Sequence, residues 1–251
     1  MDGWGGENLE MSFRVWMCHG SIEFVPCSRV AHLSRTNNTL NYEATNKNLV
    51  RLAHVWLDDY IRLFHLARPE LKGIETSMDL SSRKRVRARL KCHNFKWFLD
   101  NIRPQKFVPD DNVQAWGRVR NAQSNRCLTV ENFDEHQAFP FVTRPCVSNT
   151  STNYILQLFS LDKTGMLRRE EWCLDSVHGE RANKTTLTRI SSYHCDDRIA
   201  SSWVHLSEGS QLINVQSALC LTTTGNQEVG LSPCEKGTRL SHQSWIFDFY
   251  L

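Results

Sequence analysis

Apolar and polar positions fall into two textures along the chain. Between Asn48 and Ala67 the text reads NLVRLAHVWLDDYIRLFHLA, an apolar run cut by Arg51, His54, Asp58, Asp59 and Arg62. That spacing predicts an amphipathic helix over about 46–66, stopped near Pro69 and Gly73. A second helix is predicted over about 79–91, with Asp79 or Ser81 as its cap and with Val86 and Leu90 turned inward. FKWFLDNI, 95–102, adds a third short apolar stretch. Beyond NIRPQKFVPDDN, whose two prolines and two aspartates read as a linker over 103–113, the pattern changes to short runs with β character. LTRIS, WVHL, QLINV and WIFDFYL are separated by Gly, Asn and Ser turns.

The second texture repeats. CLTVEN starts at Cys127, CLDSVH at Cys173 and CLTTTG at Cys220, at intervals of 46 and 47 residues. Each start is followed by a second cysteine, Cys146, Cys195 and Cys234, and each unit closes near an aromatic: Gln157 to Phe159, Ser201 to Trp203, Gln243 to Trp245. One such unit cannot bury its apolar face alone, so three sharing a core predict a closed all-β domain with internal threefold symmetry. A disulfide within each unit would close a loop of about 15–23 residues, worth around 3 kcal/mol in the chain-entropy model.

Composition changes this picture little. Hydrophobic content of 40% and charge of 23% describe an ordinary globular protein, and no apolar run approaches the ~18 residues of a spanning helix. A net charge of +3 gives no reason to expect a nucleic-acid partner. The cations Arg83, Lys84, Arg85, Arg87, Arg89 and Lys91 form one basic run, read as a solvated helix rather than a polyanion site because no aromatic platforms flank it. Nine cysteines without a CxxC pair disfavour a zinc ribbon, and with sequons at Asn37, Asn149 and Asn183 they favour an oxidising, secretory compartment. Nine is odd, so at least one cysteine has no partner within this chain.

The C-L-D start and Q-x-W finish make 114–251 similar to the ricin-type lectins, which are β-trefoils. Upstream, WGGENLEMSFRVWMCHGSIEFVPCSRVAHLSR resembles the Gal/GalNAc-transferase segment of the polypeptide N-acetylgalactosaminyltransferases, and the similarity continues through LVRLAHVWLDDY, LARPELK and LKCHNFKWFLDNI. The resemblance implies an α/β piece of a GT-A type transferase domain over 1–102, the linker 103–113, and the trefoil over 114–251. It implies a retaining, Mn²⁺-dependent enzyme of the Golgi lumen that moves GalNAc from UDP-GalNAc to Ser or Thr of protein or glycopeptide acceptors. In the family this segment lies past the middle of the catalytic domain, behind a membrane anchor and a D-x-H metal motif. The expectation is therefore a C-terminal piece, with Met1 internal, inactive alone. The alternative is a carbohydrate-binding module with a vestigial transferase remnant.

Residue by residue, the resemblance makes Glu7 the carboxylate on the donor sugar and Trp4 the mobile aromatic over it. Gly5, Gly6, Asn8 and Arg35 become donor-binding residues, with Arg35 on the diphosphate, and His32 a Mn²⁺ ligand whose companions lie in the preceding half. It pairs Cys18 with Cys92, keeps Cys127–Cys146, Cys173–Cys195 and Cys220–Cys234 within their repeats, and leaves Cys27 without a partner here. The chain departs from the family at His19 and Ala31, where glycine is usual, and in the lid after Arg35, which offers Tyr42 but no histidine. In the trefoil, Asp175 would receive sugar hydroxyls and Tyr193 would stack on the ring of a GalNAc-type glycan. Thr129 and Thr222 replace that aspartate in the outer repeats, where no sugar site is expected. The middle repeat itself departs at Ser201, in the place of the closing Gln, and at Asp196. Asp134, Glu135 and His136 spell D-x-H inside the first lectin repeat and are read as a solvated loop.

Overall fold

The computed structural model describes residues 1, 3–31, 41–131, 140–176, 187–196, 202–207, 210–224, 227–236 and 241–251. The chain divides into two compact units, Met1–Lys106 and Phe107–Leu251.

Among the described residues the regular elements of the first unit are helices: α1 (Glu7–Met17), α2 (Tyr42–Trp56), α3 (Ile61–Ala67), α4 (Ser81–Arg89) and α5 (Phe95–Ile102). Phe13 and Met17 of α1, Leu52, Val55 and Trp56 of α2, and Phe98 of α5 form its core. The ring of Phe13 meets Phe95 and Phe98 edge-on at 5.2 and 5.0 Å. A disulfide joins Cys18, just past α1, to Cys92, just before α5. His93 N–H donates to Met17 O beside it, at 2.7 Å.

The apolar run expected as one helix is two. α2 begins at Tyr42, where Asn41 Oδ1 accepts from Ala44 N–H, and ends at Trp56; a 3₁₀ turn, Asp58–Tyr60, separates it from α3. The break sits at Asp58, whose backbone is left-handed (φ +48°). Its carboxylate receives both Arg87 Nη1 (2.7 Å) and Nη2 (2.8 Å) and the N–H of Phe95 (2.8 Å). Helical periodicity could not reveal this, because the partners that stabilise the break lie 29 and 37 residues away.

α4 also departs from expectation. Leu90 is 43% exposed rather than turned inward, and Val86 is only half-buried. Arg87 anchors the helix to its neighbours. Arg87 donates to Val55 O (2.5 Å) and His93 O (3.2 Å) as well as to Asp58, and its guanidinium lies 5.4 Å from the Trp56 ring. Neither Asp79 nor Ser81 is the N-cap residue, which is Leu80; Asp79 Oδ1 instead accepts from the N–H of Ser81, the first residue of the helix.

The second unit is built from twelve described strands, all paired antiparallel. These are β1 (Val113–Asn121), β2 (Arg126–Val130), β3 (Phe141–Pro145), β4 (Phe159–Asp162), β5 (Leu167–Arg169), β6 (Trp172–Ser176), β7 (Thr188–His194), β8 (Trp203–His205), β9 (Leu212–Asn214), β10 (Leu219–Thr223), β11 (Val229–Pro233) and β12 (Trp245–Tyr250). β1 pairs with both β4 and β12, so the first and last strands of the unit meet, with Val119 opposite Phe247 and Asn121 opposite Trp245. The three repeats superpose chemically. The Leu after each first cysteine (Leu128, Leu174, Leu221) and each closing aromatic (Phe159, Trp203, Trp245) is at most 1% exposed. Trp203 Nε1–H donates to Leu174 O at 3.0 Å and Trp245 Nε1–H to Leu221 O at 2.8 Å, a bond that Phe159 has no donor to repeat. Disulfides 127–146, 173–195 and 220–234 close one loop in each repeat.

One cross-strand group carries a pH signature. Arg118 on β1 grips Asp248 on β12 through Nε (2.8 Å) and Nη2 (3.1 Å), and the Tyr154 hydroxyl donates to the same carboxylate at 3.3 Å. Burial first, then the charge of Asp248, pushes the Tyr154 phenol up to about 12, against an opposing pull from Arg118. A folded value above the unfolded one near 10 means the contribution is complete below pH 10 and lost as pH rises from about 10 to about 12. The urea midpoint of the protein is expected to fall across that window, and Tyr154→Phe to fall less.

Candidate functional sites

The first site is the turn Trp4–Glu7 ahead of α1. Gly5 and Gly6 both have positive φ, +105° and +80°, a region open to glycine without steric cost. A Cβ on Gly5 would stand 2.7 Å from Thr45 Cγ2, so the turn lies against α2 closer than any other residue allows. Trp4 O accepts from Thr45 Oγ1 (3.2 Å) and Asn48 Nδ2 (3.3 Å), while the Trp4 side chain stays 61% exposed. Glu7 Oε2 accepts from Gly5 N–H at 2.7 Å, and Glu7 and Asn8 are exposed on the first turn of α1. The negative charge of Glu7 there also suits the positive end of the helix dipole.

An open cleft of about 530 Å³ runs beside this turn, lined by Glu7, Asn8, Glu10, Arg14, Arg51 and Arg83 over a floor that includes Leu52 and Trp56. Sequence reasoning missed the arginines of this lining. Arg14 is paired to Glu10 at 3.0 Å, and Arg51 Nη1 donates to Asn48 Oδ1 at 2.8 Å. Their side chains reach the cleft from α1 and α2, a juxtaposition with no local signature.

Of the remaining expected residues, His32, Arg35, the Asn37 sequon and the Asp134–His136 motif lie outside the described residues, as do Ser201 and the Asn183 sequon. Tyr42 opens α2 and is 71% exposed. Cys27 is a free, exposed thiol. His19, at a place where glycine is usual, has φ +71°, which accounts for that preference. Its ring is held at 3.2 Å from Lys91 O and packs edge-on against His93. Among the described residues no three His, Cys, Asp or Glu side chains converge to hold a metal. His32, the expected Mn²⁺ ligand, lies outside them.

The second site is the middle trefoil repeat. Asp175 on β6 is 2% exposed, and its Oδ1 accepts from Ser176 N–H at 2.6 Å. Tyr193 on β7 is half-buried and pairs with Cys173, two residues from Asp175, so both side chains stand on one face of the ladder. The outer repeats are chemically different. Thr129 and Thr222 donate to Cys127 O and Cys220 O, and each accepts from the closing glutamine, Gln157 Nε2 (3.0 Å) or Gln243 Nε2 (3.2 Å). Their hydroxyls are consumed in tying the repeat shut.

Residues 115–248 match the ricin-type beta-trefoil lectin domain, which gives the class of the second unit. Similarity to curated proteins extends over the first unit as well. The chain is 36% identical to the probable N-acetylgalactosaminyltransferase 9 of Caenorhabditis elegans across 98% of its own length and 42% of that protein. It is 34% identical to polypeptide N-acetylgalactosaminyltransferase 5 of Mus musculus across 100% of its length and 26% of that protein. A crystal structure of GalNAc-T7 with UDP, GalNAc and Mn²⁺ aligns with 98% of the chain and 44% of its own, at 28% identity and a TM-score of 0.64. The chain belongs to the polypeptide N-acetylgalactosaminyltransferase family, and it spans less than half the length of these relatives.

Proposed function

We propose that the whole protein transfers GalNAc from UDP-GalNAc to Ser or Thr hydroxyls of proteins, with retention at the anomeric carbon, and that this chain supplies its Trp4–Glu7 donor loop and its lectin domain. The observation that carries the reading is that loop. Two consecutive glycines at positive φ let the turn pack against α2 without a Cβ, and an exposed carboxylate and an exposed indole flank them. Glu7 would accept hydrogen bonds from the donor sugar's hydroxyls, one oxygen already oriented by Gly5 N–H. Trp4 would cover the apolar face of the ring and exclude water. Asn8 would add a donor-sugar contact, Arg35 would bind the diphosphate and His32 would ligate Mn²⁺, an ion that supplies charge neutralisation at a departing nucleotide when bound. Four disulfides and the sequons support a secretory setting, for which the Golgi lumen is the proposed compartment. In the trefoil, Asp175 and Tyr193, which stand on one face of the β6–β7 ladder, are the proposed contacts to GalNAc-type glycans.

The test is HexNAc addition to Thr-containing peptides by the whole protein. Glu7→Gln keeps an oxygen for Gly5 N–H but loses the charge, and it is expected to slow transfer by roughly 100-fold or more while leaving the fold intact. Asp175→Ala is expected to abolish binding to GalNAc-bearing glycopeptides without slowing transfer to bare peptides. Wild-type rates in Glu7→Gln would sink the transferase reading of this loop. Glycan binding with no transfer to any peptide would establish the lectin-module alternative.

A further inference from the structure

The Glu7 carboxylate is bonded to Gly5 N–H, and that N–H belongs to the same peptide unit as Trp4 C=O. A trans peptide is planar, with its C=O and N–H pointing to opposite sides. Fixing one end of the unit therefore fixes the direction of the other. On the carbonyl side, both bonds come from the first turns of α2, Thr45 Oγ1 at 3.2 Å and Asn48 Nδ2 at 3.3 Å. A carbonyl oxygen has two lone pairs, and these two donors occupy them. Asn48 is fully buried, and its Oδ1 is in turn held by Arg51. Thr45 Oγ1 lies 3.1 Å from Asn41 O as well, so its one proton is shared between two carbonyls, and Asn48 is the firmer of the two anchors. The contact of Thr45 Cγ2 with the place a Gly5 Cβ would take sets the distance between turn and helix.

We propose that Thr45 and Asn48 are positioning residues that aim the Glu7 carboxylate through the Trp4–Gly5 peptide plane. They touch no reacting atom. Their effect on catalysis rests on the reading of Glu7 as the donor-sugar carboxylate, whereas their effect on the turn does not.

The two parts are separable by experiment. Thr45→Val keeps the methyl against Gly5 and removes the proton; Thr45→Ser keeps the proton; Asn48→Ala removes the second donor. Amide exchange of Gly5, followed by NMR in the 251-residue chain, is expected to accelerate about tenfold in Thr45→Val and Asn48→Ala and to stay at the wild-type rate in Thr45→Ser. In the whole protein Thr45→Val and Asn48→Ala are expected to raise the KM for UDP-GalNAc by roughly fivefold to tenfold with kcat little changed, a split that simple destabilisation does not produce. Unchanged Gly5 exchange in both variants overturns the proposal. Faster exchange with an unchanged donor KM, while Glu7→Gln abolishes transfer, also overturns it, because Glu7 would then act without being aimed. Faster exchange alongside a fully active Glu7→Gln overturns the reading of Glu7 itself and leaves the two residues as anchors of the turn alone.

Discussion

Replacing Gln243 by leucine is expected to destabilise the trefoil by about 2–4 kcal/mol, seen as a fall of roughly 10 °C in Tm. Gln243 is fully buried, and its amide ties the third repeat together. Oε1 accepts from Glu235 N–H (2.9 Å) and Gln211 Nε2 (3.0 Å). Nε2 reaches Ser232 Oγ (2.8 Å), Pro233 O (2.9 Å) and Thr222 Oγ1 (3.2 Å). Leucine matches the volume and none of the polarity, so Glu235 N–H and Pro233 O lose their partner together. Pro233 and Glu235 are themselves exposed, which lets water recover part of the loss and keeps the figure below that of a wholly interior pair. Gln157→Leu is expected to cost a comparable amount, since Gln157 bonds Thr129 Oγ1, Pro145 O and Val147 N–H in the first repeat. A loss under 0.5 kcal/mol in both variants, by urea unfolding, would remove the glutamines from any account of how the repeats close.

Arg87→Ala is expected to cost the helical unit about 2–4 kcal/mol. The alanine leaves Asp58 with one bond, from Phe95 N–H, and deprives Val55 O and His93 O of a donor. The Asp58–Arg87 pair is partly open to solvent, so its Coulomb energy is small and the geometric loss dominates. Arg87→Lys is expected to recover less than half, because an ammonium cannot span a carboxylate and two carbonyls in one plane. Far-UV circular dichroism on heating would show the helical signal of the variant lost at a lower temperature than in the wild type. Full recovery by lysine would mean that charge, not the guanidinium fork, is what holds the helix.

These two residues also mark where the sequence was legible and where it was not. Gln243 could be found by eye, because it stands two residues before the closing aromatic of a unit that begins with Cys-Leu, as Gln157 does in the first unit. The trefoil was readable for the same reason, with every unit restating the Cys-Leu start, the second cysteine and the closing aromatic. Arg87 looked like one cation in a basic run, and nothing nearby in the chain distinguished it from Arg85 or Arg89. Its partners, Asp58 and Val55, lie 29 and 32 residues away. The same distance hid the break in the apolar run at Asp58 and the exposure of Leu90. In the candidate donor loop, the glycines and Glu7 stood out through resemblance to a family. Thr45 and Asn48, 41 and 44 residues from Trp4, carried no periodic or compositional sign of their contact.

The meeting of β1 and β12 has a consequence for the order in which the lectin unit is made. Its three disulfides span 19, 22 and 14 residues and can each form while the chain is still growing. The ladder between Ala115 and Tyr250 cannot, since one partner is synthesised last. Until then β1 has an edge with no neighbour, and Trp245 and Phe247 are missing from the core they complete. Closure is thus a high-contact-order step that follows three local ones, and until its final strand arrives the nascent trefoil keeps an open edge and an incomplete core of the kind a chaperone binds.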